Sequence, residues 1–323
     1  MKLFTMDDGS RDGRLAVVSA DGKTAVLAEG IAVTLQEALE NWQTAAPQLA
    51  ALRSARESGF DFDPRHALAP LPRSWQWLDG SAFPSHGDLM SEVFHTPKLP
   101  YDERPLMYQG ISHRFLPGHA DVPMADEADG IDFEGEFAVI TDDVPAGVNV
   151  TEAAGHIKLI VLLNDWSLRR IAPIEMKTGF GWIQAKPACS VAPLAVTPDE
   201  LGPAWRDGRV CLPLNVRWNG TIFGRPRGDD MAFSFPQLVA YAAYSRPLCA
   251  GTLVGSGTVS NSDYREVGSS CIAERRGIEI KDSGEPTTPF MKFGDTVDMW
   301  VELGGESVFG SISQRVVAAH KAA

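Results

Sequence analysis

Two glutamates one residue apart, Glu134 and Glu136, sit in an otherwise apolar stretch, Asp132-Phe-Glu-Gly-Glu-Phe-Ala-Val-Ile140. In a β-strand alternate residues share a face and lie about 7 Å apart along it. Both carboxylates therefore project to one side of the strand. Like charges held that close, and partly buried, are costly unless something positive sits between them. Oxygen-only ligands of this kind suit a hard cation, Mg2+ or Ca2+, better than zinc. Taken alone, the same pattern also fits a half-exposed edge strand with solvated glutamates.

A second acidic group, Asp165, closes Ile157-Lys-Leu-Ile-Val-Leu-Leu-Asn-Asp-Trp166. Leu159 to Leu163 reads as a strand buried on both faces, because the apolar run is short, continuous and unalternating. A carboxylate where such a strand leaves the core needs a partner, or else it caps the turn at Ser167. A third candidate, Asp79, lies in Trp77-Leu-Asp-Gly-Ser-Ala-Phe-Pro-Ser-His86, which reads as a loop rich in Gly, Ser and Pro. A surface aspartate and an incidental histidine explain that segment equally well.

The 323 residues suffice for a sizeable core and lean toward two domains, with one large domain as the alternative. An apolar fraction of 44% with interspersed charges describes a soluble globular protein. The net charge of −13 argues against nucleic acid or an anionic membrane as partner. No apolar run is long enough to span a bilayer, and the start lacks the apolar core of a signal peptide. Cys189, Cys211, Cys249 and Cys271 are scattered without ligand spacing, so they read as reduced thiols of a cytoplasmic protein.

Along the chain, Arg14–Ser19 and Thr24–Ala28 flank Asp21-Gly22, a strong hairpin dipeptide, and predict a small β-meander. Thr34-Leu-Gln-Glu37 is a capping box that predicts a helix from Leu35 to about Gln43, with a second helical stretch around Pro47 to Glu57. The proline-rich segment Asp61 to Arg73 reads as a linker, dividing a small N-terminal domain (1–72) from a larger one (73–323). Beyond it the pattern is mainly β, with few helices. Asn219-Gly220 predicts a two-residue hairpin of type I′. Ser234 to Tyr244 is the one clear helix of this half, capped by Ser234 with Pro236 in its first turn. Gly251 onward reads as short strands broken by glycines.

Together these segments resemble the fumarylacetoacetate hydrolase family, from about Trp75 to the C-terminus. The resemblance rests on the spacing of Asp79 and His86, on Glu134-Gly-Glu136, on Asn164-Asp-Trp-Ser167 and on Lys186. Gly255-Ser-Gly-Thr-Val-Ser260 and Gly268-Ser-Ser-Cys-Ile-Ala-Glu274 add to it. It implies a mainly β (α+β) fold, a mixed β-roll or sandwich, preceded by a small barrel-like N-terminal domain. It also implies a homodimer and one divalent cation, Mg2+ or Ca2+, held by Asp79, Glu134, Glu136 and Asp165. Substrate contacts would come from Tyr108, Thr258 and Ser81.

The chemistry implied is hydrolytic cleavage of a carbon–carbon bond in a small anionic diketo acid, such as an acylpyruvate. His86 would activate water, its ordinary pKa lying near neutrality. Glu274 would orient the imidazole, and Lys186 would stabilise the developing enolate. A 2-keto acid decarboxylase, hydratase or isomerase on the same scaffold is the alternative, needing Lys186 but not the His86–Glu274 pair. A non-catalytic protein whose carboxylates only staple strands through Ca2+ is a third reading. The chain also departs from the family pattern: His95, Ser81 and Ala172 stand where its tyrosine-catabolic members carry Arg, Tyr and Gln. Substrate identity is therefore left open.

Overall fold

The structure, a computed structural model, describes residues 1–54, 59–94 and 104–319. His95 and the expected tail of the second helix, 55–57, lie outside the described residues.

The apolar runs assemble into one large twisted sheet. Its order is Phe60–Asp61, Thr24–Leu27, Arg14–Val18, Lys2–Met6, Ala195–Val196, Ile157–Asn164, Gly135–Thr141, Leu253–Gly255, Trp77–Gly80 and Met107–Gly110. Neighbours along this order run antiparallel except Leu253–Gly255 and Trp77–Gly80, which are parallel. The expected hairpin at Asp21-Gly22 forms, with Gly22 at φ +70. Its strands continue the main sheet, because Lys2–Met6 pairs with Ala195–Val196. No closed barrel forms among the described strands.

Both faces of this sheet are covered, which explains the unalternating run Leu159–Leu163. Ala138, Ile140, Leu159, Val161 and Leu163 pack with Leu35, Leu39 and Leu49 of the N-terminal helices. Phe137, Val139, Ile160 and Leu162 pack on the other side with Val216, Val297, Met299 and Ile312. Those last residues belong to a second sheet of five strands, in the order Thr221–Gly224, Asn215–Trp218, Thr296–Leu303, Glu306–Ala318 and Val122–Met124. The fold is thus mainly β in mixed sheets, with helices on the flanks. At the expected hairpin, Asn219 and Gly220 both take positive φ, +49 and +79, as a type I′ turn requires.

Helices are more numerous than the pattern suggests. Leu35–Glu40 is capped by Thr34, whose hydroxyl accepts from the Glu37 N–H, while Glu37 reaches back to the Val33 N–H. Trp42–Leu52 follows, with Pro47 inside it, and Phe235–Ala242 is capped by Ser234 and Gln237. Two helices correct the sequence reading. Pro84–Phe94, which contains His86, is a helix rather than a loop. Ile272–Ser283, which contains Glu274, is a helix within the stretch read as short strands broken by glycines. The two pack closely: a Cβ on Gly277 would lie 2.6 Å from Met90 Cε.

Candidate active site

The sheet's connectivity brings the acidic residues to one end. Gly135–Thr141 starts where the antiparallel Ile157–Asn164 finishes, with Gly135 opposite Asn164 and Glu136 opposite Leu163. Leu253–Gly255 finishes there too, and aligns Gly255 with Asp79 on the parallel strand. Asp79, Glu136 and Asp165, from three separate segments, place one carboxylate oxygen each within 4.8 Å of one another. Gly255 is required at this junction, since a Cβ there would lie 2.4 Å from Asp79 Oδ1 and 2.4 Å from the Trp77 ring.

The three carboxylates differ in their partners. Asp165 Oδ2 accepts from Tyr108 Oη (2.6 Å) and Lys186 Nζ (2.6 Å), and its Oδ1 accepts from the Cys189 thiol (2.9 Å). Asp79 Oδ1 accepts from the Gly257 N–H at 3.2 Å. Glu136 is completely buried, and neither of its oxygens has a hydrogen-bond partner among the described residues. Burial, then the neighbouring carboxylates, push Asp79 and Glu136 well above the usual carboxylate range. An orphaned buried carboxylate beside two others is the donor set a hard divalent cation satisfies, so these residues fit the cation that the sequence implies.

Glu134 faces the other way electrostatically. Its Oε1 accepts from Ser167 Oγ (2.5 Å) and Lys186 Nζ (3.0 Å) and forms an ion pair with Arg169 Nη2 (2.6 Å), and its Oε2 accepts from Thr258 Oγ1 (2.5 Å). Burial alone would raise its carboxyl, but Arg169 and Lys186, with the two hydroxyls, outweigh that and hold it far below the usual range. Glu134 adjoins the trio through Lys186 rather than standing within it. Lys186 itself is stripped of water, yet Asp165 and Glu134 keep it protonated beyond its ordinary range.

His86 lies on its helix with Nδ1 buried and without a hydrogen-bond partner among the described residues. Burial is the largest influence on it, with Arg169 and Lys186 adding to the effect against Glu134, and its pKa falls to about 4. Glu274 comes near His86 but accepts its hydrogen bond from Ser260, which in turn accepts from Ser85 at 2.8 Å. Burial pushes Glu274 up to about 7 against the pull of Ser260 and Ser269. The structure therefore brings the histidine and glutamate into one cluster without a hydrogen bond between them. Of the expected substrate contacts, the Tyr108 and Thr258 hydroxyls are engaged by Asp165 and Glu134, and the Ser81 N–H donates to the Leu106 carbonyl at 2.9 Å.

Three contributors escaped the sequence reading. Arg169 bridges Asp132 and Glu134 and is the second cation of the site. Asp132, fully buried, accepts from the Ile272 and Ala273 N–H groups at 2.7 and 2.9 Å, fixing the start of the helix that carries Glu274. Cys189 donates to Asp165. A signal did exist for Asp132, which continues the alternation of Glu134 and Glu136, and three carboxylates in a row demand a nearby arginine. Nothing in the sequence marks Cys189.

A family model described as fumarylacetoacetate (FAA) hydrolase C-terminal matches residues 76–317. One described as fumarylacetoacetase N-terminal domain 2 matches residues 1–73. Fumarylacetoacetase fahA of Aspergillus fumigatus is 27% identical over 209 residues, 54% of this chain and 48% of that protein. The chain thus spans about half the length of that curated relative. A putative HpcE protein from Mycobacterium smegmatis superposes with a TM-score of 0.70 at 19% identity, covering 99% of this chain and 100% of that one. Maleylpyruvate hydrolase from Sphingobium sp. SYK-6, solved with manganese(II) and pyruvate, superposes at 0.67 and 14% identity, covering 99% and 100%.

Proposed function

The chain belongs to the fumarylacetoacetate hydrolase family, and from that premise we propose that it is a divalent-cation-dependent hydrolase cleaving a carbon–carbon bond in an acylpyruvate or related diketo acid. The observation that carries the reading is the fully buried Glu136, without a hydrogen-bond partner among the described residues, beside Asp79 and Asp165, with protonated Lys186 on Asp165 and neutral His86 in the cluster with Glu274. Asp79, Glu136 and Asp165 would hold the cation. Glu134, whose oxygens already accept from three donors and pair with Arg169, enters the ligand set only by giving one of these partners up. When bound, the cation, Mg2+ or Ca2+, supplies Lewis-acid polarisation of the substrate's keto and carboxylate oxygens. The manganese and pyruvate in the Sphingobium enzyme support a divalent cation and a 2-keto acid at such a site.

The chain's own groups supply the rest. His86, neutral at physiological pH, takes a proton from water, and the hydroxide adds to the distal carbonyl. The bond to the central carbon then breaks, releasing a carboxylic acid and an enolate that is protonated to the 2-keto acid. Lys186 and Arg169 offset the negative charge as it grows on oxygen, and they give an anionic substrate a local positive destination in a chain of net charge −13. Glu274, near neutrality in its own titration, balances the imidazolium. The absence of a His86–Glu274 hydrogen bond favours a second reading, an isomerase or tautomerase of 2-keto acids that dispenses with that pair.

The test is a panel of acylpyruvates followed by loss of diketone absorbance, with and without chelator. His86→Ala should lower turnover by about 10²–10⁴-fold while cation binding persists. Undiminished turnover in His86→Ala would exclude the hydrolase mechanism, and no cleavage of any panel member would exclude the reaction class.

A further inference from the structure

Beside the oxygen-lined trio lies a second cluster of different chemistry. His86, Cys271 and Glu274 each place one ligand atom within 4.8 Å of the other two, and Cys271 and Glu274 are wholly buried. His86 Nδ1 and Glu274 Oε2 both lack hydrogen-bond partners among the described residues. The cluster is held from three directions. Asp132 anchors the backbone at Ile272 and Ala273, the Cys271 sulfur accepts from the Glu274 N–H at 3.3 Å, and Glu134 and Cys271 face each other as an antiparallel bridge.

We propose that His86, Cys271 and Glu274 form a second cation site, selective for a thiophilic divalent ion such as Zn2+, whose occupancy shuts the enzyme off by engaging His86. One imidazole, one thiolate and one carboxylate, with water in the fourth position, is a donor set that zinc accepts. Softness separates the two sites: thiolate selects zinc, whereas all-carboxylate ligands suit Mg2+ or Ca2+. The neutral imidazole is the ligating form, and binding exchanges the Cys271 proton for the metal. A zinc-bound imidazole nitrogen cannot accept a proton, so the water-activating step stops while the carboxylate trio stays intact. The inhibitory half of the proposal rests on the hydrolase reading; the site itself does not.

The experiment adds Co2+ to the Mg2+-saturated protein and reads sulfur-to-cobalt charge-transfer absorption. Cys271→Ser is the key variant, because serine retains a helix-capping oxygen at this position and so preserves the fold. One equivalent of Co2+ should give the band in the wild type and in Glu136→Gln, and none in Cys271→Ser. Zn2+ should abolish turnover of the wild type, whereas Cys271→Ser should need roughly 100-fold more zinc for the same loss. A band that survives in Cys271→Ser but disappears in Cys189→Ser would place the ion on the first site and overturn the proposal, as would the absence of any band. A Cys271-dependent band with zinc-insensitive turnover overturns the inhibitory role. If no substrate is turned over, the hydrolase reading fails and the absorption measurement still decides the site.

Discussion

Replacing Glu136 by glutamine separates a cation site from a merely buried acidic residue. In the absence of a cation the three carboxylates repel one another, and Glu136 has no donor among the described residues. Glutamine has nearly the same shape, carries no charge and offers an N–H to Asp79, so the cation-free variant should be at least as stable as the chelated wild type. Bound cation at about 100 times its dissociation constant stabilises the wild type by about 2.7 kcal/mol. A chain of 323 residues unfolds with an entropy near 0.7 kcal/mol/K, from roughly 2.1 cal/mol/K per residue. The melting temperature should therefore rise by about 4 °C with Mg2+ or Ca2+ in the wild type, and not at all in Glu136→Gln. Scanning fluorimetry of both proteins, with cation and with chelator, measures this. The raised carboxyls of Asp79 and Glu136 set a sign for pH as well. Their folded forms bind protons more tightly than the unfolded chain, so the chelated wild type should lose stability as pH rises above about 4, and Glu136→Gln should lose less. A chelator-insensitive wild type, together with a glutamine variant that melts lower, would refute the reasoning.

Arg169→Ala strands Asp132 and Glu134 in the interior and should cost about 3–5 kcal/mol by denaturant unfolding. An unchanged midpoint would mean that the ion pairs contribute nothing. His86 has its pKa lowered to about 4 in the folded state, so the stability it contributes is fully present above about 6.5 and is lost as pH falls through 4. In His86→Asn, the acid limb of the stability profile over that window should flatten. Gly255→Ala drives a methyl against Asp79 and Trp77 and should destabilise by about 1–3 kcal/mol; it should also diminish the cation-induced shift in melting temperature, which the same fluorimetry reads.

What the sequence revealed was local. Asp21-Gly22 and Asn219-Gly220 specify their hairpins because glycine and asparagine adopt positive φ regardless of their surroundings. Thr34 and Ser234 start their helices with side chains a few residues from the groups they cap. Helix Ile272–Ser283 stayed hidden because Asp132, far away in the chain, satisfies its first N–H groups while Cys271 occupies the capping position. Helix Pro84–Phe94 stayed hidden because Gly87 and two serines weaken its pattern, and packing against Gly277 maintains it instead. In the site, Glu134 and Glu136 look equivalent in sequence. Their difference comes from Ser167, Arg169, Lys186 and Thr258, which meet Glu134 only once the sheets have closed.

The parallel pairing of Leu253–Gly255 with Trp77–Gly80 has a consequence for biosynthesis. The strand bearing Asp79 reaches the one bearing Glu136 only through a segment that leaves the ribosome more than a hundred residues later than either. Until that segment slots between them, Asp79 stays apart from Glu136 and Asp165, whose strands pair directly, and the trio of carboxylates is incomplete. Capture of the proposed cation by all three carboxylates would therefore be a finishing event of synthesis, unable to template the earlier stages.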